Sequence, residues 1–262
     1  MKKKMKIFLI VLGAILAVIA AVVIIIAVLA GKNVKQMNAC VDDVIAKISE
    51  SHEMTETDAG EYAEMSAYGI LHFHVKQYDI KDLGNLSVMT VNAGVMQMAT
   101  IVFSPYAKDL PLLSCDYMYM LGTRKAYVEF YDLVEEKTDT YMSYMDRYEA
   151  LRGKYELTDT EASPGWYDYL ITVAIYKSAG TKDDEAIRSL LVDAVTIYLE
   201  EADAFELLPT EGRAAKIDRT KTYSDRLIDE GGVSTSFFSQ ALGEDVTRDF
   251  FDKVFFGTER YR

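Results

Sequence analysis

Cysteine and histidine are scarce in this chain, which has two cysteines and three histidines. Cys40 and Cys115 lie far apart in sequence, and no group of cysteines and histidines has the spacing of a zinc site. A disulfide framework and a structural zinc site are therefore excluded as organising features. We expect two isolated, buried thiols.

Several familiar catalytic motifs are also missing. The sequence has no glycine-rich phosphate loop, no His-Glu-x-x-His pair and no nucleophile elbow. Basic residues are in the minority after residue 30, where 41 acidic and 24 basic residues leave a net charge of −17. A chain of this charge is repelled by polyanions, which excludes nucleic acid as a partner and argues against adhesion to anionic lipid.

One long apolar run is what the sequence does contain. Residues 7–30 carry no charge, and a helix rising about 1.5 Å per residue would make them about 36 Å long. This length crosses a hydrocarbon core of about 30 Å, so we predict that residues 1–30 are an uncut membrane anchor. A signal peptide cleaved after Ala30 is the alternative, although its apolar region would be unusually long.

Lysines flank this run unequally. Four lysines lie within the first six residues, whereas only Lys32 and Lys35 follow the run closely. The positive-inside rule then places the N-terminus in the cytoplasm and the rest of the chain outside. We therefore predict a single-pass membrane protein that contacts lipid through residues 7–30.

The rest of the chain changes its hydrophobic period along its length. Residues 33–66, within a juxtamembrane segment 31–68, favour helix because their apolar positions recur at a spacing of 3.6. Residues 69–131 alternate with a period of two between turns, which predicts an antiparallel meander. Helical patterns return after residue 133, apart from an apolar strand near 170–176. This order predicts a three-layer α/β/α sandwich around a mainly antiparallel sheet over residues 69–262.

Two features of the predicted strands could carry chemistry. His72 and His74 share one face and could bind a metal, but no third ligand is visible, and we predict no metal site. Asp116 interrupts the apolar segment 112–120, where burial would raise the pKa of its carboxyl towards neutrality. It is either a proton donor or a hydrogen-bonded aspartate with a structural role.

The order of several short motifs resembles the ferredoxin-dependent bilin reductases. These motifs cover residues 100–105, 110–116, 128–133, 164–166, 181–204 and 241–256. The resemblance implies an α/β/α sandwich that binds a linear tetrapyrrole between the sheet and the C-terminal helices. It also implies electrons from an external ferredoxin-like protein, protons from buried side chains, and no covalently bound cofactor.

The resemblance assigns roles to individual residues. Asp116 matches the proton-donating aspartate of the family, so we expect it to be catalytic. The expected substrate-binding residues are Leu86, Val88, Thr100, Trp166 and Asp229. Leu86, Val88 and Thr100 stand where the most complete family sites have histidine, glutamate and histidine. Glu161 stands where the family has an arginine that holds a propionate.

The resulting hypothesis is a membrane-anchored bilin-reductase-like protein, which reduces or binds a linear tetrapyrrole or a similar flat conjugated molecule. The alternatives are a tetrapyrrole-binding carrier or sensor without turnover, and an envelope interaction protein without a small ligand. Ferredoxin is cytoplasmic, whereas the lysine asymmetry places the domain outside. An active enzyme would then need another electron-transfer partner or the opposite topology.

Overall fold

One antiparallel sheet forms the centre of the molecule. The computed structural model describes residues 2–262, except for the side chains of residues 2–4, 233 and 234. The side chains of three of the lysines used to predict orientation therefore lie outside the described part of the chain. Nine strands lie within this range. They are β1 (Met54–Thr57), β2 (Glu64–Ala67), β3 (Leu71–Ile80), β4 (Gly84–Asn92), β5 (Met96–Ser104), β6 (Leu112–Met120), β7 (Thr123–Tyr131), β8 (Thr158–Asp159) and β9 (Ile171–Gly180).

The strand order is β1-β3-β4-β5-β6-β7-β9-β8, with β2 also paired to β3. The strands from β3 to β7 are consecutive in the chain and antiparallel, as expected of a meander. The short strands β1 and β2 lie one after the other along the outer edge of β3. They cover backbone groups that would otherwise be open to pairing with another chain.

Helices cover both faces of the sheet. They are α1 (Lys2–Ser49), α2 (Asp139–Arg152), α3 (Asp184–Ala204), α4 (Thr210–Asp229), α5 (Val233–Leu242), α6 (Glu244–Phe250) and α7 (Thr258–Tyr261). The C-terminal part of α1 packs on one face with α2 and α3, and α4 to α6 pack on the other. The predicted α/β/α sandwich with an antiparallel sheet is confirmed.

The first helix runs without a break from the apolar segment into the folded domain. Residues 5–25 are exposed to solvent, whereas Asn33, Met37, Cys40, Val44 and Ile48 are buried against the sheet. Their spacing of three and four residues is that of one helix face. The apolar part is long and apolar enough to cross a membrane.

The predicted helix over residues 33–66 is wrong beyond Ser49. The chain turns there and forms β1 and β2, which pair with β3. Edge strands of four residues gain stability from a partner strand that is distant in sequence, so their own pattern carries little signal. The expected division at residue 68 therefore falls inside the sheet.

Helix α4 has no counterpart in the sequence prediction. Three of its seven buried positions, Lys216, Thr220 and Ser224, are polar, which weakens the apolar period that identifies a helix. The two cysteines behave as predicted. Both are free thiols, and both are buried in the core between the sheet and α1 to α3.

Candidate functional site

A cavity of about 290 Å³ lies between the sheet and the C-terminal helices. Its floor comes from strands β4 to β7, and its roof comes from α4, α5 and the turn that follows α6. Aromatic and methionine side chains make up nearly half of the lining residues. Those on the floor are Met89, Met98, Met118, Tyr127 and Tyr131, and those on the roof include Tyr223, Phe238, Phe251 and Phe255. Such a wall suits a flat apolar molecule.

Strand alternation places the polar groups of the floor. Successive residues of a strand face opposite sides, so Ser114, Asp116 and Met118 face the cavity while Cys115 and Tyr117 face the packed core. Thr100 on β5 lies directly opposite Asp116 on β6. The site residue predicted from sequence is thus in the middle of the cavity floor.

The Asp116 carboxyl is held by two hydroxyl groups. Thr100 Oγ1 donates a hydrogen bond to Oδ1, and Ser114 Oγ donates one to Oδ2 at 3.3 Å. Removal from water raises the pKa of Asp116 to about 6, and the negative charge of Glu129 adds to this increase. The two hydroxyl groups act in the opposite direction, because they favour the charged form. The carboxyl can therefore gain and lose a proton near neutral pH.

A second carboxyl, Glu129, faces the cavity from the neighbouring strand β7. Because Ser114 pairs with Glu129, this carboxyl lies diagonally across from Asp116. Tyr131 and Tyr176 donate hydrogen bonds to Glu129 at 2.7 and 2.8 Å. Burial nevertheless raises the pKa of Glu129 above its ordinary value. Two coupled carboxyls on adjacent strands can share or pass a proton.

Sequence reasoning missed Glu129 because a glutamate that alternates with apolar residues suggests a solvent-facing position. The position of Glu129 in the alternating pattern of β7 was a signal that could have identified it. Residues 127, 129 and 131 share one face of β7, and the tyrosines on either side of Glu129 indicate that this face is covered.

Lys125 is the only cationic side chain on the cavity wall within residues 2–262. It lies opposite Met118, on the same face of β7 as Glu129. Across the described part of the chain, Lys125 has neither an ion pair nor a side-chain hydrogen bond. Its ammonium group is available to an anionic group of a ligand, whereas Glu161 lies exposed in the loop at the cavity edge.

Trp166 lies behind the wall and does not line the cavity. Its indole nitrogen donates to the Gly231 carbonyl at 2.8 Å, and the Arg226 guanidinium lies 3.9 Å from the ring centroid. The ring also packs against Tyr167 and Tyr223, which do line the cavity. The tryptophan predicted to shape the pocket does so indirectly, by fixing two lining tyrosines and the end of α4.

Two of the predicted substrate-binding positions lie on the wrong face of the sheet. Leu86 and Val88 are buried in the core beneath α1 and α3. A shift of one residue in a strand moves a side chain to the opposite face, and the cavity side is occupied by Met89 instead. Leu86 and Val88 are therefore removed from the site.

Asp229 is also outside the cavity. It is the last residue of α4, its side chain is 63% exposed, and it forms an ion pair with Arg248 of α6 at 2.7 Å. The nearby residues that do line the cavity are Gly232 and Thr235. Thr100 and Asp116 are the predicted residues that the structure brings together.

The architecture is shared with a protein of known structure. The crystal structure of phytochromobilin synthase from tomato, in complex with biliverdin, superimposes with a TM-score of 0.69. The alignment covers 86% of this chain and 84% of that chain, at 11% sequence identity. This chain has the phytochromobilin synthase fold. At this level of identity the similarity establishes the fold, as the motif order predicted. No family model matches the sequence, and no curated protein matches it.

Proposed function

We propose that this protein binds a linear tetrapyrrole, or a similar flat conjugated carboxylic acid, and reduces it with Asp116 as the proton donor. The observation that carries the proposal is a carboxyl with a pKa of about 6 on the floor of an aromatic cavity. The shared fold adds weight, because the tomato protein was crystallised with biliverdin. Residues 7–30 would anchor this reductase to a membrane.

The reaction class follows from the side chains that are available. Reduction of one double bond consumes two electrons and two protons, and amino-acid side chains of this site supply protons only. The electrons would come one at a time from an external electron-transfer protein of the ferredoxin type. The ligand becomes more basic as it gains each electron, and a nearby acid can then protonate it.

Asp116 would transfer the first proton and become a carboxylate. The hydroxyl groups of Thr100 and Ser114 would stabilise this carboxylate, because both already donate to its oxygens. Glu129 lies one diagonal step away and would return a proton to Asp116 for the second transfer. In this scheme Glu129 is a proton relay, and Tyr131 and Tyr176 hold it in position.

Lys125 would bind a carboxylate of the ligand. It is the unpaired cation of the cavity wall, and a charge-assisted hydrogen bond from lysine would orient the flat ligand over the floor. Lys125 would take over the role of the arginine that holds a propionate in the family, because Glu161 stands at that position in this chain. Thr100, directly opposite Asp116, would contact the ligand near the reacting atoms.

The test uses the full chain in detergent or nanodiscs, mixed with biliverdin and a one-electron reducing system. A shift of the biliverdin absorption band on mixing is expected, followed by bleaching when electrons are supplied. Absence of both changes would contradict the proposal. Tight binding that is unchanged in Asp116→Asn, without turnover, would instead assign a carrier or sensor role.

The side of the membrane decides which electron donor can be used. Lysine asymmetry predicts that the domain is outside, where a cytoplasmic ferredoxin has no access. Protease accessibility in intact cells distinguishes the two topologies. Digestion of the domain would require an extracytoplasmic electron donor, and protection would reverse the predicted orientation.

A further inference from the structure

Three hairpin turns meet at one end of the sheet. They connect β2 to β3, β4 to β5, and β6 to β7, and antiparallel pairing brings them to the same end of the sheet. Direct contacts join two of them and α1. The Leu121 amide donates to the Val95 carbonyl at 3.3 Å, and Asn33 Nδ2 donates to the Leu121 carbonyl at 3.2 Å.

Large apolar side chains project from these turns into solvent. We call them the tip surface: Tyr68 (66% exposed), Ile70 (66%), Val95 (45%), Met120 (47%) and Leu121 (36%). Exposed apolar residues that are grouped in space mark contact surfaces, whereas scattered ones are ordinary. Five such residues on three adjacent turns form a group.

The tip surface also lacks negative charge in a strongly acidic chain. Residues 67–72, 91–98 and 118–125 contain no aspartate or glutamate, although the chain has 41. The opposite end of the sheet is different, since its turns and loops expose Asp82, Glu135 and Glu136. The same end of the sheet also carries Asp183, Asp184 and Glu185, where the chain leaves β9, and Asp184 forms an ion pair with Arg124. The three turns themselves add no negative charge that would oppose their approach to an anionic surface.

The backbone at two of these turns is unusual for the residues present. Tyr68 has a φ of 54° and Leu121 has a φ of 52°, in the left-handed region. Glycine and asparagine are the ordinary residues there, because larger side chains clash with the backbone. The chain places bulky apolar residues at positions where folding alone would favour small or polar ones.

The anchor helix enters the domain at this same end. The apolar run ends at Ala30, and Asn33, three residues later in an unbroken helix, is bonded to the β6–β7 turn. Three residues of helix rise about 5 Å, so the tip surface lies close to the level at which the apolar run ends. Exposed Lys32 and Lys35 follow at the same level, where they would meet lipid phosphates.

We propose that the tip surface inserts into the interfacial layer of the bilayer that residues 7–30 cross. This inference rests on the membrane anchor of the proposed function. Tyrosine and aliphatic side chains at the end of a spanning helix suit the headgroup region, where an apolar body and a polar edge are both accommodated. The domain then stands against the membrane on its hairpin turns, held by four segments of chain.

Docking fixes the position of the cavity relative to the lipid. Lys125 lies three residues from the Gly122 turn, or about 10 Å along β7, and Asp116 lies five residues from Leu121, or about 17 Å along β6. The cation of the cavity wall is therefore nearer the membrane than the acid. An amphiphilic ligand dissolved in the headgroup layer would have a short path to Lys125.

The experiment places a fluorophore on single introduced cysteines of the full chain in nanodiscs. Cys40 and Cys115 are buried, so labelling is directed to the new thiol. The probe positions are Ile70→Cys and Leu121→Cys on the tip surface, Asp82→Cys at the opposite end, and Val23→Cys within the apolar run. Lipids carrying a nitroxide near the headgroup quench probes that lie in the interface, and lipids carrying it along the acyl chain quench the probe at position 23.

Quenching at positions 70 and 121 should exceed that at position 82 by about threefold or more. If position 23 is quenched but positions 70 and 121 are quenched no more than position 82, the inference is overturned and the membrane anchor is retained. Absence of quenching at position 23 would remove the anchor and this inference together, leaving the cavity chemistry to the biliverdin test. A lipid-independent change at position 70 that grows with protein concentration would indicate pairing of two copies, and would also overturn it.

A second variant separates docking from folding. Tyr68→Asn with Leu121→Asn places a residue that tolerates positive φ at both strained positions, so the Tm in detergent should be unchanged or higher. Quenching of the probe at position 70 should fall by about half or more, because two of the five apolar side chains are lost. Unchanged quenching in this variant would contradict the inference.

Discussion

The two faces of the sheet are made by the same strands and have opposite properties. The face beneath α1 to α3 is closed by aliphatic side chains such as Leu86, Ile101 and Val128. The face beneath α4 to α6 has a cavity and carries Asp116 and Glu129. A strand of period two can thus supply rigid packing on one side and chemistry on the other.

Each face of the sheet also has a buried carboxyl, and the two carboxyls differ in their access to a ligand. Glu201 of α3 is fully buried on the packed side, and desolvation raises its pKa to about 8. Tyr148 donates to it at 3.1 Å. A raised pKa is therefore not sufficient to identify a catalytic acid. Asp116 differs because it faces a cavity that a ligand can enter.

The largest expected effect is the loss of the proposed proton donor. Asp116→Asn should reduce biliverdin turnover by about 10²- to 10⁴-fold, because asparagine keeps the shape but cannot give up a proton. Wild-type turnover should also decline as pH rises above 6, since the protonated fraction of Asp116 falls. Stopped-flow bleaching measures both. Glu201→Gln, on the packed side, is the matched control and should leave turnover unchanged.

The next effect compares the two faces by stability. Ile101→Ala on the packed face should lower the free energy of unfolding by about 2–5 kcal/mol, because it leaves a void in a close-packed core. Met98→Ala on the cavity face should cost about 1 kcal/mol, because that side chain already borders open space. Urea unfolding of both variants makes the comparison. Equal losses would mean that the faces are packed alike.

A third effect is the pH dependence that Glu201 gives to stability. Its folded pKa of about 8 lies above the ordinary glutamate value of 4.5, so the folded state holds the proton more strongly. The stabilisation is complete below pH 4.5 and is lost as pH rises through 8. Glu201→Gln should remove this loss and be more stable than wild type at pH 9, by about 5 kcal/mol. Parallel unfolding curves for the two proteins between pH 5 and 9 would contradict this assignment.

The smallest effect concerns ligand affinity. Lys125→Met should raise the Kd for biliverdin about tenfold, because one charge-assisted hydrogen bond to a carboxylate is lost. Lys76→Met changes an exposed lysine elsewhere in the sheet and should leave the Kd unchanged. Absorption titration measures both constants. An equal change in the two variants would point to overall charge and not to a contact.

Much of the fold could be predicted from local pattern. The strands β3 to β7 and the strand near 170–176 show their period in sequence, and Asp116 stands out as an acid within an apolar strand. Helix α4 and strands β1 and β2 could not be predicted in this way. Buried polar residues weaken the apolar period of α4, and the short edge strands gain stability by pairing with a strand that is distant in sequence.

The site was predictable only in part for a related reason. Asp116 and Thr100 were found, but Glu129 and Lys125 were missed, because an alternating charged residue in a strand usually faces water. Leu86 and Val88 were assigned to the cavity through motif alignment. A one-residue uncertainty in such an alignment exchanges the two faces of a strand.

By itself, the sequence determined the apolar helix of residues 7–30, the acidic character of the domain and the meander of strands. These properties depend on composition and on neighbours along the chain. Only the tertiary structure decided which face of each strand meets a cavity, and that Lys125 and Glu129 accompany Asp116 there. It also decided that the long first helix and three hairpin turns meet at one end of the sheet. Those arrangements arise from contacts between residues far apart in sequence, which no local pattern specifies.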